Sequence, residues 1–192
     1  MGNRLTNSLR VKELCNSLQS VKFLVMAGII INLVVFDIIW FGLVYFGNYF
    51  IPASLLLLAA HLHFYSKIRG EVWLIVVITV IGIIVDSMLV HFNIFMFPNS
   101  NHIPLWLIAL WACFGATICH SLKFLSGSKV LQFLVGAFLA PLSYIAGYKF
   151  DAVNFGLPLM STYFVLFAVW GLLFVIFFAL KNHLVSAEVN HA

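Results

Sequence analysis

Long apolar runs separated by short polar breaks dominate the chain, and their spacing predicts six helices. From Lys22 to about Phe46 the chain past the lysine is apolar apart from Asn32 and Asp37 and forms the first helix. Gly47 and Asn48 make a tight turn, and Pro52 suits the first turn of a second helix, short for a full span, that ends near Tyr65. Lys67, Arg69 and Gly70 form the next loop, and Glu71 opens a third helix reaching about His91, with an acid at the end where the helix dipole favours one. The loop over 92–103 holds Pro98, Asn99, Ser100 and Asn101, and its FNIFMF portion is apolar enough to belong in the headgroup region. Residues 104–125 predict a fourth helix, which at about 1.5 Å per residue is long enough to cross a hydrocarbon core of about 30 Å. The fifth and sixth helices are predicted over 129–148 and 158–180.

Two helices carry stripes of small residues. Ala109, Ala112, Cys113 and Ala116 recur on one side of the fourth helix, and that side continues to His120 and Lys123; Gly136, Ala140, Ser143 and Gly147 do the same on the fifth. Without a hydrophobic drive between helices in lipid, small residues let backbones approach closely, so both stripes predict tight helix packing. Pro141 lies beside the second stripe, and its missing N–H predicts a kink there or a broken helix that offers backbone groups to a ligand.

The fold class is therefore all-α, a polytopic transmembrane bundle of six helices. Residues 1–20 are a tail or interfacial helix, 21–181 the membrane domain and 182–192 a second tail. The first apolar run is longer than a signal-peptide core and no A-x-A-like site follows it, so it reads as a retained helix. Arg4, Arg10, Lys12, Lys22, Lys67, Arg69, Lys123, Lys129 and Lys181 fall on one side of such a bundle and only Lys149 on the other. The asymmetry predicts that both termini are cytoplasmic. Trp73, Trp106, Tyr45, Tyr49 and Tyr65 fall toward helix ends, where interfacial aromatics are expected.

Composition agrees. The residues are 64% hydrophobic and 8% charged, against roughly a quarter charged in soluble domains. The formal charge of +4 is spread over short loops, with no basic patch to bind nucleic acid. Cys15, Cys113 and Cys119 show no ligand spacing, and the two in the fourth helix read as small packing residues.

Asp86 is the most informative polar residue, because an aspartate at the centre of a membrane helix costs about 2.5–3.5 kcal/mol on insertion scales. It shares a polar or small stripe with Thr79, Gly82 and Asn93, next to Ser87. Asp37 makes the same argument in the first helix. Both belong to the outer half of the membrane with His91, Tyr148 and Lys149, which suggests a water-filled vestibule, or else a satisfied interhelical bond such as Asp86 with Lys149. His61 and His63 are two positions apart and point to nearly opposite sides. Asp86 and His120 belong to opposite membrane halves, so no metal site and no cofactor is assigned. No H-E-x-x-H, G-x-S-x-G, Gly-rich phosphate loop or cysteine-pair motif occurs.

The segments GIIVDSML from Gly82, the 104–125 run with its paired tryptophans and HSLKFL, and APLSYIAGYKFDA from Ala140 resemble a bacterial inner-membrane family, domain of unknown function 2878. The helix-one stretch with Trp40 and Phe41 is similar too. The resemblance implies a multi-pass protein of the bacterial inner membrane and brings no activity with it. The family pattern usually has Gly-Pro in place of Ala140-Pro141, a glycine in place of Asp151 and an uncharged polar residue near Asp37. The resemblance thus sets Asp37 and Asp151 aside and leaves Asp86, His120, Ser121, Pro141 and Tyr144 as candidates. The leading expectation is transport or binding of a small or lipid-like molecule in a cavity formed by Asp86, Ser87, Pro141, Tyr144 and Tyr148. The alternatives are a lipid-modifying enzyme using Asp86 and His120, or a non-catalytic subunit whose stripes bind a partner helix.

Overall fold

The computed structural model describes the backbone of residues 2–66, 68, 70–98 and 100–189, and the side chains between 18 and 185 within that set. Lys67, Arg69, Asn99 and residues 190–192 of the C-terminal tail lie outside the described residues, as do the side chains of Arg4, Arg10, Lys12 and Cys15. Among the described residues there are six α-helices: α1 (Gly2–Phe46), α2 (Ile51–Ala60), α3 (Glu71–His91), α4 (Leu105–Gly115), α5 (Lys129–Lys149) and α6 (Leu159–Val189). α1 takes in the residues read as an N-terminal tail or interfacial helix, and α6 extends into the second tail. Two short strands, β1 (Phe95–Met96) and β2 (Asn154–Phe155), pair antiparallel.

Four stretches are long and apolar enough to cross a membrane: Leu18–Tyr65, Glu71–His91, Lys129–Lys149 and Leu159–Val185. Large apolar side chains cover the outside of the bundle, with Phe23 72%, Leu24 68% and Trp73 65% exposed. Such a surface requires lipid as its solvent, and the chain is a multi-pass membrane protein.

The first of these stretches is a hairpin. Gly47 takes φ 58° in the turn, a left-handed conformation that glycine adopts without steric cost. Past the turn α2 runs back along α1, because Phe50 packs against Gly42 and Tyr65 against Gly28 so closely that a side chain at either glycine would overlap the ring. Beyond Ala60 the helix widens into one π turn, His61–Tyr65.

The fourth helix is shorter than its apolar run predicts. Regular α-helix ends at Gly115, turns occupy 116–122, and a 3₁₀ segment follows over Lys123–Gly127. The cause is local. Gly115 sits against the backbone of α3, with Ile75 Cα 3.1 Å from where its Cβ would be, and the Thr117 hydroxyl donates to the Phe114 carbonyl at 2.6 Å, competing with the helical ladder. The Thr117 carbonyl then accepts from the amides of both His120 and Leu122, so the unwound backbone is satisfied internally, as a low-dielectric setting requires.

α3 and α5 stop in the same way. Asn93 and Asp151, two residues past each helix, both have φ 56°, and the following amides, Ile94 and Ala152, bond back to the carbonyls of Leu89 and Gly147. This is a left-handed helix cap, so Asn93 ends α3 instead of extending its polar stripe. The strands join the two loops that follow. The main core, with Leu74, Ile78, Trp111, Ile118, Trp170 and Phe177, lies between α3, α4 and α6; a smaller cluster of Ile39, Leu43, Ala109 and Cys113 joins α1 to α4. The α4 stripe thus packs where it predicts, and Cys113 and Cys119 are buried free thiols. On α5, Gly136 lies against the Trp170 carbonyl and the Phe174 ring of α6.

Candidate functional site

Four helices meet around Asp86. The residue is fully buried on α3, and its carboxylate accepts from Trp111 Nε1 of α4 at 2.6 Å and from the Tyr144 hydroxyl of α5 at 3.1 Å. The Trp111 indole stacks on Trp170 of α6, centroids 5.0 Å apart and planes 3° from parallel. The same ring covers Gly82, where a Cβ would overlap it. Tyr144 stacks on Phe95 of β1 at 4.9 Å. The carboxylate therefore ties three helices while meeting its hydrogen-bonding need away from solvent, which is how a membrane aspartate is retained.

On the other side of Trp111, Tyr144 and Trp170 lies a partly open crevice of about 310 Å³. α1 contributes Leu33, Phe36, Asp37, Trp40 and Val44; α4 and its unwound end contribute residues from Trp106 to Leu122; α5 contributes Ala140, Ser143, Tyr144 and Gly147. The lower part of the α5 stripe packs on α6 through Gly136, and the upper part keeps this wall thin. Most of the lining is aromatic and aliphatic, with a few hydroxyls among it, the usual makeup of a small-molecule pocket. One of them, Ser121 Oγ, is buried and, among the described residues, has no hydrogen-bond partner. Its amide is occupied, donating to Asn32 Oδ1 at 3.2 Å.

The sequence candidates distribute unevenly around this crevice. Tyr144 lines it; Asp86 stands behind its wall, holding Trp111 and Tyr144 in place. Pro141 is buried within a continuous α5, so that helix is not broken open. Ser87 is exposed on α3, and Tyr148 is half exposed, stacked on Phe155 with the Lys149 ammonium 5.9 Å from its ring centroid. Neither lines the crevice. Asp86 bonds to Trp111 and Tyr144 and not to Lys149, and its complete burial removes it from any water-filled vestibule. Asp37 is exposed and lines the crevice.

A second polar cluster forms at the opposite end of α3. Glu71, which reads in sequence as a helix-starting acid, is fully buried. Its Oε1 lies 3.1 Å from His61 Nε2 and 2.9 Å from His120 Nε2, and its Oε2 accepts from the Ser66 hydroxyl. The π turn presents His61, and the unwound stretch after α4 presents His120, whose ring also sits 5.0 Å from that of Tyr65. His63 is exposed on the other side of the turn, as the spacing predicts. Sequence reasoning passes over Glu71 because its partners are ten and 49 positions away.

The family model described as protein of unknown function DUF2878 matches residues 29–176. The chain belongs to this family. No curated protein and no solved structure matches it. The DUF2878 match takes in both polar clusters and the crevice lining from Leu33 to Phe174, and ends before Lys181, which donates to Ser126 Oγ at 2.7 Å.

Proposed function

We propose that this protein binds a single lipid-like amphiphile in the crevice between α1 and α5, taking it from the bilayer sideways for transfer or presentation. The observation that carries the reading is the unpaired, buried Ser121 hydroxyl in a mostly apolar crevice. A buried polar group without a partner costs about 1–3 kcal/mol, and a ligand head bearing a carbonyl or hydroxyl would supply the missing bond while its apolar tail lies along Trp40, Leu110 and Leu139. Tyr144, with Asp86 behind it, sets the wall, and the volume falls at the lower end of the range for small-molecule sites, about 300–1,000 Å³.

In this reading the chain crosses the inner membrane of a bacterium six times with both termini in the cytoplasm. The support is the placement of Lys22, Lys123, Lys129 and Lys181 toward one end and Lys149 toward the other. The lipid bilayer is its first partner. A helix-packing membrane partner would add to this picture without replacing it.

The test is native mass spectrometry and lipid extraction of the purified protein, with Ser121→Ala and Ser143→Trp beside wild type. Wild type should carry one amphiphile per chain. Ser143→Trp, which fills the crevice, should lose it. Ser121→Ala, which removes one hydrogen bond worth about 0.5–1.5 kcal/mol, should weaken retention roughly two- to tenfold. Equal lipid content in all three proteins would refute the proposal.

A further inference from the structure

The geometry points to a divalent transition-metal site of the zinc or iron class, with His61 Nε2, His120 Nε2 and a Glu71 carboxylate oxygen as its three protein ligands. The three ligand atoms lie within 4.8 Å of one another, and both imidazole nitrogens approach the same carboxylate oxygen, at 3.1 and 2.9 Å. Metal bonds of about 2.0–2.2 Å place tetrahedral ligand atoms about 3.3–3.6 Å apart. The two nitrogen–oxygen distances would thus open by a few tenths of an ångström to admit the ion, and the two imidazole nitrogens, up to 4.8 Å apart, would close by up to about 1.2–1.5 Å through rotation of the two rings.

The donor set selects the metal. Two imidazoles and one carboxylate suit zinc or ferrous iron, whereas calcium and magnesium demand mostly oxygen. Three protein ligands leave a coordination position for water or a substrate oxygen, the arrangement of catalytic and not of closed structural sites. The surroundings are built to hold the ligands. Glu71 is fully buried and its second oxygen is held by Ser66, an outer contact of the kind that orients metal-bound carboxylates. His61 stands on a single π turn, a local widening that recurs at functional sites. His120 is delivered by a stretch that leaves the helix at Gly115. A divalent ion would also compensate a carboxylate taken out of water, which otherwise costs several kcal/mol.

This inference does not depend on lipid occupying the crevice, and its test reads metal alone. The full chain, purified without a histidine tag and stripped with a chelator, is dialysed against Zn²⁺, or anaerobically against Fe²⁺, with Mg²⁺ in excess, and its metal content is measured by elemental mass spectrometry. Wild type and His63→Ala should retain about one Zn²⁺ or Fe²⁺ per chain and melt at a higher temperature with the metal than without. Glu71→Gln and His120→Ala should lose at least tenfold in retained metal, and the milder His61→Asn should weaken binding in the same direction. Wild type that takes up neither metal above the buffer level, or a Glu71→Gln protein that binds as much as wild type, would overturn the site. If Glu71→Gln fails to fold, the wild-type stoichiometry and the metal-dependent melting shift still decide.

Discussion

Replacing Asp86 tests whether the junction of α3, α4 and α5 is held by hydrogen bonds. In Asp86→Ala the Trp111 N–H and the Tyr144 O–H both lose their acceptor in a place water does not reach. Each stranded donor costs about 1–3 kcal/mol, but hydrogen bonds within membranes average nearer 0.6 kcal/mol, so the two together cost about 1–4 kcal/mol. For a chain of this size 1 kcal/mol moves the melting temperature by about 2–4 °C, giving a fall of roughly 2–16 °C. Asp86→Asn should cost less than Asp86→Ala, because its oxygen still accepts from Trp111 and its amide donates to the tyrosine oxygen. Tyr144→Phe keeps the stack on Phe95 and removes only one donor. Combined with Asp86→Ala it also removes a stranded hydroxyl, so the double variant should melt higher than the two single losses added together predict. Thermal unfolding in detergent, followed by far-ultraviolet circular dichroism to keep the reporter away from Trp111, measures all four variants against wild type. An Asp86→Ala protein melting within about 1 °C of wild type, or strict additivity with Tyr144→Phe, would refute the argument.

The remaining predictions concern backbone positions. Gly82→Ala should destabilise by about 1–3 kcal/mol, since the indole that its Cβ would meet is held by the Asp86 carboxylate and stacked on Trp170; thermal melting reads the loss, and Ala at the open Gly127 should leave it unchanged. Asp151→Gly should be neutral or raise stability by up to about 1 kcal/mol, while Asp151→Val should cost about 1–2 kcal/mol, because φ at that position is 56°. A stabilised Asp151→Val would show that the cap geometry is wrong.

Apolar run lengths and breaks were enough to show an all-helical chain with several membrane-crossing stretches, because hydropathy reports the solvent a segment must face. The helix-four stripe at Ala109 and Cys113 packs on α1, and Gly136 packs on α6, for the same reason: small residues repeat at the helical period wherever backbones must meet. The early end of α4 was not legible, since it turns on Gly115 meeting α3 and on one threonine hydroxyl, and neither changes the hydropathy of the run. Asp86 was recognisable as a residue needing a partner, but which partner depends on tertiary approach, and an indole and a phenol fill the role where a lysine was the obvious candidate. Glu71 escaped for the opposite reason. At a helix start an acid has a sufficient local explanation, and nothing along the chain signals that two distant imidazoles converge on it. Asp151, set apart by the resemblance, proves to be a helix stop, which explains why glycine suits the position.

Asn32 and Asn48 fasten the α1 side of the molecule to the α4 passage at two separate points, the first accepting from the Ser121 amide and the second from the Trp106 amide. Between those clasps the crevice has a set length. From Trp106 to Phe114, both on α4 and in its lining, the helical rise is about 12 Å. An amphiphile bound there as proposed would fit an apolar portion of about that length along α4, and a longer tail would leave through the gap between α1 and α5 and lie in the bilayer. Under the proposed binding, the two asparagines would make the crevice a gauge, one that measures its guest by chain length before any polar group is read.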